Sequence, residues 1–178
     1  RSADPSNKRK GMMRGYLKDP EATEAAWRNE WFHTGDFCVR DQDGYFYFVD
    51  RKKDMIRRSG ENISASEVEE VIRHHPAVLD VAVIAVPDSK RVEEVKAYII
   101  RKADAELAPE DIIMWCEERL AYFKIPRYIE FRKEFPRTST QKVQKNALKT
   151  ETRDLTQDSW DRTKHMKLER ERTKQPKE

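Results

Sequence analysis

Two apolar runs in the middle of the chain constrain its fold more than any other feature. The first, VLDVAVIAVPD at residues 78–88, predicts a buried strand that ends at Pro87. The second, EVKAYIIRK at residues 94–102, predicts another strand with apolar side chains on both faces. Because such strands need cover, the runs favour a sheet packed against helices.

An amphipathic helix is predicted just before these strands. Ser64 lies three residues before Glu67, which is the spacing of a capping box at a helix start. Apolar residues then recur at helical spacing, and Pro76 ends the helix.

Further elements follow the two strands. PEDIIMWCEERLAYF at residues 109–123 predicts a second helix, opened by a proline and carrying a buried apolar stripe. RYIEFRKEF at residues 127–135 alternates as a third strand, and a short helix is predicted around Asn146–Lys149. The order of elements over residues 55–135 therefore predicts an α+β fold, with a small sheet of about three strands flanked by helices.

The two ends of the chain carry different patterns. Pro20 suits a first helical turn that Asp19 caps. Phe37–Arg40 and Tyr45–Val49 are aromatic and β-branched, and the turn residues DQDG between them predict a β-hairpin. Residues 151–178 are polar with interleaved charges, which predicts a tail that is helical or disordered.

Composition argues against several classes of protein. The 36 Lys and Arg residues nearly balance the 33 Asp and Glu residues, so a nucleic-acid binder is not expected. Cys38, Cys116 and the 4 histidines show no ligand spacing, so no metal site is expected. No run approaches the roughly 18 apolar residues that a membrane span needs, and no signal peptide is recognisable. These features predict a cytoplasmic protein without a membrane span.

Three short segments suit a nucleotide or phosphate ligand. In HTGD, Asp36 begins a strand and can accept two ribose hydroxyls; a plain turn is the alternative. In VDRKKD, the guanidinium of Arg51 can pair with a phosphate; a solvated charge run is the alternative. In RRSGEN, Ser59 and Gly60 offer N–H groups close to a helix N-terminus, which favours anions; an ordinary turn is the alternative.

A fourth candidate is Lys142, in the polar loop PRTSTQKVQK at residues 136–145. Composition alone makes this lysine one of 36 cations. Its position in the series makes it a stronger candidate for a phosphate contact. It follows an aspartate at a strand start, an arginine at a strand end and a Ser-Gly loop before a helix.

These segments belong to a longer ordered series of motifs. The series is GYLKDPEAT, WFHTGD, DGYFYFVDRKKDMI, SGENISASEVE, HPAVLDVAVIAVPD, EVKAYI, FKIPRYIEF and PRTSTQKVQKNALK. From Met13 to about Leu148 the chain resembles the C-terminal part of the acyl-adenylate-forming enzymes, which comprise acyl-CoA synthetases, luciferases and the adenylation domains of peptide synthetases. RRSGEN and FKIPRY are most similar to the crotonobetaine/carnitine–CoA ligase and medium-chain acyl-CoA synthetase branch.

The resemblance implies a role for each matched residue. Asp36 corresponds to the aspartate that holds the ribose hydroxyls of ATP or AMP, and Arg51 to an arginine that also contacts the nucleotide. Lys53 falls at the hinge of the family's small domain, where a loop residue absorbs a φ/ψ change. Lys142 corresponds to the catalytic lysine of adenylation, whose ammonium stabilises charge at the substrate carboxylate and the α-phosphate. The residues implied in CoA binding are Ser59, Gly60, Glu61, Arg91 and Lys124.

The chain departs from the family's motifs at two glycine positions. The family usually has glycine before the catalytic lysine, where this chain has Gln141. A glutamine is expected to hold that loop only at negative φ. After PDSKR the family commonly has Gly-Glu, where this chain has Val92-Glu93, so that turn is expected to differ.

The resemblance also implies a division of the chain. Residues 1–52 correspond to the end of the large N-terminal domain and form a β-rich remnant. Residues 53–150 correspond to the small C-terminal lid domain, and residues 151–178 to the polar tail. Because the family's phosphate loop, adenine-binding segment and acyl pocket are not found in the sequence, we expect a fragment whose partner is its own missing N-terminal domain.

The implied parent reaction joins a small carboxylic acid to CoA. ATP first gives an acyl-adenylate and pyrophosphate, then the CoA thiol gives the acyl-CoA and AMP, with Mg²⁺ bound mainly by the absent domain. The chain alone is expected to be inactive. Two alternatives remain open, namely an adenylating enzyme that loads a carrier protein, and a non-catalytic binding or assembly module. Exposed strand edges in residues 11–50 also predict an oligomer or a domain swap.

Overall fold

The structure, a computed structural model, describes residues 11–166. It divides the chain into two compact units, one ending at Lys53 and one beginning at Asp54. Residues 1–10, and the part of the predicted tail at residues 167–178, lie outside the described residues.

The first unit contains one short helix and one β-hairpin. Helix α1 spans Pro20–Ala26, and Asp19 caps it as predicted by accepting a hydrogen bond from the Ala22 N–H (2.9 Å). A single 3-10 turn at Arg28–Glu30 follows. Strands β1 (Asp36–Arg40) and β2 (Phe46–Arg51) pair antiparallel, which confirms the predicted hairpin.

The second unit is an α+β fold, as predicted, and its sheet is larger than expected. Within residues 54–166, three α-helices are described from end to end, namely α2 (Ala65–Arg73), α3 (Pro109–Glu117) and α4 (Lys145–Thr150), and residues 162–166 are also helical. The strands are β3 (Met55–Arg58), β4 (Glu61–Ser64), β5 (Val78–Asp88), β6 (Val92–Arg101), β7 (Tyr128–Arg132) and β8 (Trp160–Asp161). The three predicted strands are β5, β6 and β7.

Strand β6 lies at the centre of this sheet. It pairs antiparallel with β5 along almost its whole length and parallel with β7. One pair, Arg58 with Val92, joins β6 to the β3–β4 hairpin, and β8 extends the far edge beyond β7. The path through the sheet is β4-β3-β6-β7-β8, with β5 branching from β6.

Both faces of the central strands are buried, which explains their continuous apolar sequences. On one face, α2 and α3 cover a core that includes Val81, Val83 and Ile99. On the other face, Phe135 and Leu148 cover a second cluster that includes Ala82, Ile84, Val86 and Tyr98.

The helix ends agree only in part with the sequence. The Ser64 side chain accepts a hydrogen bond from the Glu67 N–H (3.2 Å), which confirms the predicted cap of α2. Helix α3 ends at Glu117 and does not continue to residue 123 as predicted. The N–H groups of Arg119 and Leu120 both donate to the Cys116 carbonyl, which closes the helix, and Tyr122–Lys124 forms a separate 3-10 turn.

The segment at residues 151–166 is more ordered than a helical or disordered tail. Its strand β8 pairs with β7, and residues 162–166 are helical. Arg127 lies 3.3 Å from both carboxylate oxygens of Asp161, which is buried. Lys96 donates to the Leu155 carbonyl (2.5 Å), and Trp160 packs on the first core. The segment is ordered because its few apolar and ion-paired residues contact residues of the sheet. Composition alone does not predict these contacts.

Candidate functional site

The two residues predicted to contact the nucleotide face each other across the β1–β2 pair. Asp36 and Arg51 are register partners, and Arg51 Nε lies 2.9 Å from Asp36 Oδ1. That oxygen is buried and forms an ion pair without a well-directed hydrogen bond. The Asp36 side chain as a whole is 24% exposed, so its carboxylate group still reaches the surface beside Arg51.

Local backbone contacts fix this pair. The Asp36 N–H donates to Thr34 Oγ1 (3.1 Å), and the Lys52 N–H donates to the Gly35 carbonyl (2.7 Å). Gly35 has φ of +76°, a conformation that glycine adopts without strain. Lys53, the predicted hinge, follows as the last residue of the first unit.

The predicted CoA-binding residues Ser59 and Gly60 form the tip of the β3–β4 hairpin. Both have positive φ, 51° and 91°, as a two-residue type I′ turn requires. The sequence predicts them close to a helix N-terminus, and the structure places strand β4 between them and α2. Glu61, the third predicted residue, begins β4 directly after this turn.

Arg91 lies beside this turn. The Ser59 N–H donates to the Arg91 carbonyl (3.0 Å), so the structure brings these two predicted residues together. The Arg91 guanidinium is 3.5 Å from the carboxylate of Glu94, and Glu94 also pairs with Arg58 at 2.6 Å. Glu94 is only 1% exposed, so part of the positive charge around the hairpin is already balanced inside the protein.

Lys124 lies on the 3-10 turn after α3. Its ammonium is 2.5 Å from a carboxylate oxygen of Glu67 in the first turn of α2. None of the contacts described above joins Lys124 to the hairpin tip. The predicted CoA residues are therefore three neighbours in the β3–β4 turn, Arg91 beside it and a separate Lys124.

Lys142 occupies a tight turn between β7 and α4. Its N–H donates to Thr138 Oγ1 (3.1 Å), and its carbonyl accepts from the Thr138 N–H (2.8 Å). The Arg137 guanidinium donates to the Gln141 carbonyl (2.9 Å). The Lys142 side chain is exposed and, within residues 11–166, forms no ion pair or hydrogen bond. A fixed backbone thus presents an ammonium that remains available.

The two replaced glycines keep a glycine-like backbone. Gln141 has φ of +64°, which corrects the expectation of negative φ, and Val92 has φ of +72°. The turn hydrogen bonds around Lys142 hold Gln141 in this conformation, while pairing to both Arg58 and Asp88 holds Val92. Positive φ is unusual for glutamine and rarer still for a β-branched residue.

Two carboxylates that the sequence did not single out contact the ends of this loop. Glu69 of α2 lies 2.7 Å from the Lys145 ammonium, and Asp80 of β5 pairs with Arg137. Burial raises the pKa of Glu69 even though Lys145 and the Val83 N–H both stabilise its charge. An aspartate inside the apolar run of β5 was the available signal for Asp80; the sequence holds no comparable signal for Glu69.

Comparison with known proteins assigns this arrangement to a family. A family model of the AMP-binding enzyme C-terminal domain matches residues 67–142. A crotonobetaine/carnitine–CoA ligase of Salmonella arizonae is 43% identical over 141 residues, covering 79% of this chain and 27% of that protein. The chain contains the C-terminal domain of AMP-binding enzymes. The acyl-adenylate-forming resemblance seen in the motifs is thereby confirmed.

Solved structures of the acyl-adenylate-forming family share the fold. The o-succinylbenzoate CoA synthetase of Bacillus subtilis, in complex with an acyl-adenylate, superposes with a TM-score of 0.71 at 35% identity, covering 78% of this chain and 28% of that one. ATP-bound MatB of Rhodopseudomonas palustris gives 0.73 at 32% identity, covering 82% and 29%. The chain thus spans little more than a quarter of the length of the relatives it matches.

No group of three His, Cys, Asp or Glu residues within residues 11–166 is arranged to hold a metal ion. Over the same range, every helix is too short or too polar to cross a bilayer.

Proposed function

We propose that the chain is the C-terminal part of an ATP-dependent acid–CoA ligase. Such a ligase converts a small carboxylic acid, ATP and CoA to acyl-CoA, AMP and pyrophosphate through an acyl-adenylate. The observation that carries the proposal is the exposed Lys142 ammonium on a turn fixed by its own hydrogen bonds. A rigidly held, unneutralised cation is what developing negative charge on a carboxylate and an α-phosphate requires.

Asp36 and Arg51 would hold the nucleotide. The Asp36 side chain is 24% exposed beside the Arg51 guanidinium, which supports contact of this pair with the ribose hydroxyls. The carboxylate groups in the described residues do not suit Mg²⁺ as a cluster, so we assign the ion to residues of the parent enzyme outside this chain. Lys53 as the hinge remains part of the same proposal.

CoA would approach the β3–β4 turn. Ser59 and Gly60 form an open turn, because a Cβ added at Gly60 would meet no atom within 4 Å. A ligand can therefore approach the backbone closely there. Glu61, Arg91 and Lys124 would supply the polar contacts. The proposal also holds that the chain by itself is inactive, because it spans so little of its relatives.

The half-reactions of the full-length protein test this function. A set of short-, medium- and branched-chain carboxylic acids is supplied with ATP and Mg²⁺, and adenylation is measured by pyrophosphate release. Thioester formation is measured separately from pre-made acyl-adenylate and CoA. Lys142→Ala is expected to slow adenylation by about 10²–10³-fold and to leave thioester formation nearly unchanged.

Lys133→Ala is the matched control, since Lys133 is also exposed but lies outside the turn. Equal rates for the Lys142→Ala and Lys133→Ala variants would overturn the role of Lys142. A wild-type protein that forms no acyl-adenylate with any acid would overturn the ligase itself. Thioester formation with a phosphopantetheinyl carrier protein, and none with free CoA, would overturn the acceptor. The same assay on the 178-residue chain tests its expected inactivity.

A further inference from the structure

The outer edge of β5 is covered by side chains where a neighbouring strand is lacking. Among the described strands, β5 pairs with β6 alone. The Val83 N–H donates to Glu69 Oε1 (2.7 Å), and the Val81 N–H donates to Asp80 Oδ1 (2.8 Å). Two carboxylates therefore satisfy amide groups that an open strand edge leaves unpaired.

The same two carboxylates hold the loop that carries Lys142. Glu69 Oε1 is 2.7 Å from the ammonium of Lys145, at the start of α4. Asp80 pairs through its other oxygen with the guanidinium of Arg137. These pairs, which we call the Glu69 clamp and the Asp80 clamp, lie on opposite sides of Lys142 along the chain.

Contacts inside the loop connect the clamps to the lysine. The Gln144 side-chain amide donates to the Arg137 carbonyl (2.8 Å), and the Gln144 N–H donates to the Pro136 carbonyl (2.8 Å). Val143 packs against the second apolar cluster, to which Leu148 of α4 also belongs. The loop between the clamps is short and internally bonded, so a shift at either clamp moves the backbone of Lys142.

Burial makes the Glu69 clamp the stronger of the two. The side chains of Glu69 and Lys145 are 11% and 17% exposed, whereas those of Asp80 and Arg137 are 21% and 35% exposed. Charge pairs shielded from water are screened less and hold their geometry better than exposed pairs. Small displacements of a catalytic group have large effects, since about 1 Å can cost 10²-fold in rate.

We propose that Glu69 and Asp80 are positioning residues for Lys142. They touch no substrate and act through Lys145 and Arg137, fixing the turn against the β5 edge. This role rests on the proposed function, because it assigns them to the step that Lys142 performs. Their loss slows adenylation and spares the thioester step.

The half-reactions of the full-length protein distinguish positioning from general stability. Glu69→Gln keeps an oxygen for the Val83 N–H and removes the charge that holds Lys145; Asp80→Asn does the same for Val81 and Arg137. We expect adenylation to fall by about 10- to 100-fold in Glu69→Gln and by less in Asp80→Asn, with thioester formation from pre-made acyl-adenylate within about twofold of wild type.

Glu70→Gln is the matched control on the same helix. Its side chain is 63% exposed, and its ion pairs within residues 11–166 are with Arg73 and His74, so both half-reactions should equal those of wild type. Lys145→Met tests the Glu69 clamp from the loop side, leaving the bond from Val83 intact, and Lys145→Arg should restore adenylation. These two variants serve even if Glu69→Gln does not fold.

Amide hydrogen exchange in the 178-residue chain gives a readout that needs no activity. In Lys145→Met, the Lys142 and Gln144 amides should exchange about tenfold faster than in wild type, while the Ile99 amide is unchanged. Wild-type adenylation together with Glu69→Gln and Lys145→Met variants that match Glu70→Gln would overturn this inference alone. A wild-type protein without adenylation would overturn the proposed function, and the positioning role with it.

Discussion

The two units of the chain contain similar strand sequences and bury them very differently. In the second unit, most apolar side chains of β5 and β6 are covered, on both faces of the sheet, and the large exposed ones are Leu79 and Val92. In the first unit, the apolar side chains of β1 and β2 are largely exposed. They are Phe37, Val39, Phe46, Tyr47, Phe48 and Val49, with exposures of 38–71%. Ala26 is the single buried hydrophobic residue among those described before Asp54.

This difference shows that strand formation and core formation are separate requirements. Turn chemistry and β-branched or aromatic residues favour the β1–β2 hairpin, but stable burial needs further strands or helices that cover its apolar side chains. An exposed apolar surface of this kind marks an interaction site. We propose the missing N-terminal domain as its partner, with a second copy of the chain as the alternative.

The largest expected effect tests whether stability resides in the second unit. Ile99→Ala removes a fully buried side chain from the centre of the sheet and should lower the free energy of unfolding by about 2–5 kcal/mol. Phe46→Ala, at a side chain that is 71% exposed, should change it by less than about 0.5 kcal/mol. Urea unfolding followed by circular dichroism at a helix wavelength measures both. A Phe46→Ala variant as unstable as Ile99→Ala would break the comparison, since it would mean that β1 and β2 are covered in solution.

Much of the second unit could be predicted from sequence because its long elements have clear periodicity. Strands β5 and β6, and the cap of α2 at Ser64, follow from apolar runs and capping residues. Strands β3 and β4 were missed because four-residue strands rich in arginine and glutamate carry no usable period. Strand β8 has two residues, and only its partner β7 makes it a strand.

The candidate site divides in the same way. Lys142, Asp36 and Arg51 could be singled out as candidates because they lie in ordered motifs, whereas the clamps join residues that are distant in the sequence. Nothing local to Glu69 indicates that it meets Lys145, since that contact depends on how α2 and α4 pack around β5. The positive φ of Gln141 was also unpredictable, because the turn's hydrogen bonds override the residue's own preference.

A smaller effect should show that the second unit includes the segment after residue 150. Although burial alone raises the pKa of Asp161, hydrogen bonds from Arg127 and Thr163 lower it below its usual value. The stabilisation that the Asp161 carboxylate gives the folded state is therefore present at pH values above its usual pKa. It is lost as the pH falls through the lower pKa of the folded state. At pH 7, Asp161→Asn should cost about 1–3 kcal/mol, and its difference from wild type should shrink towards pH 3.

Asp158→Asn is the control for this prediction. Asp158 is exposed in the same segment, so its substitution should leave the unfolding curve at pH 7 unchanged. Urea unfolding at several pH values measures both variants. The difference in free energy of unfolding between wild type and Asp161→Asn could instead stay constant from pH 7 to pH 3. That result would show that the Arg127 contact is not formed and that β8 does not belong to the second unit.

The smallest expected effect is a gain in stability at the two replaced glycines. Val92 holds φ of +72°, a conformation that costs an L-residue about 1–2 kcal/mol, and it is 67% exposed, so it loses little burial on truncation. Glycine removes that strain but adds freedom to the unfolded chain, so Val92→Gly should raise the free energy of unfolding by about 1 kcal/mol. Gln141→Gly should gain less, about 0.3 kcal/mol, because an unbranched side chain tolerates positive φ better.

Val92→Ala is the control, since it keeps a Cβ and separates backbone strain from side-chain branching. The same urea titration measures all three, and a loss of stability in Val92→Gly would contradict the strained turn, because only a residue at negative φ is harmed by glycine there. A gain would show that strand pairing and turn hydrogen bonds in the second unit hold Val92 and Gln141 in place against the preferences of these residues.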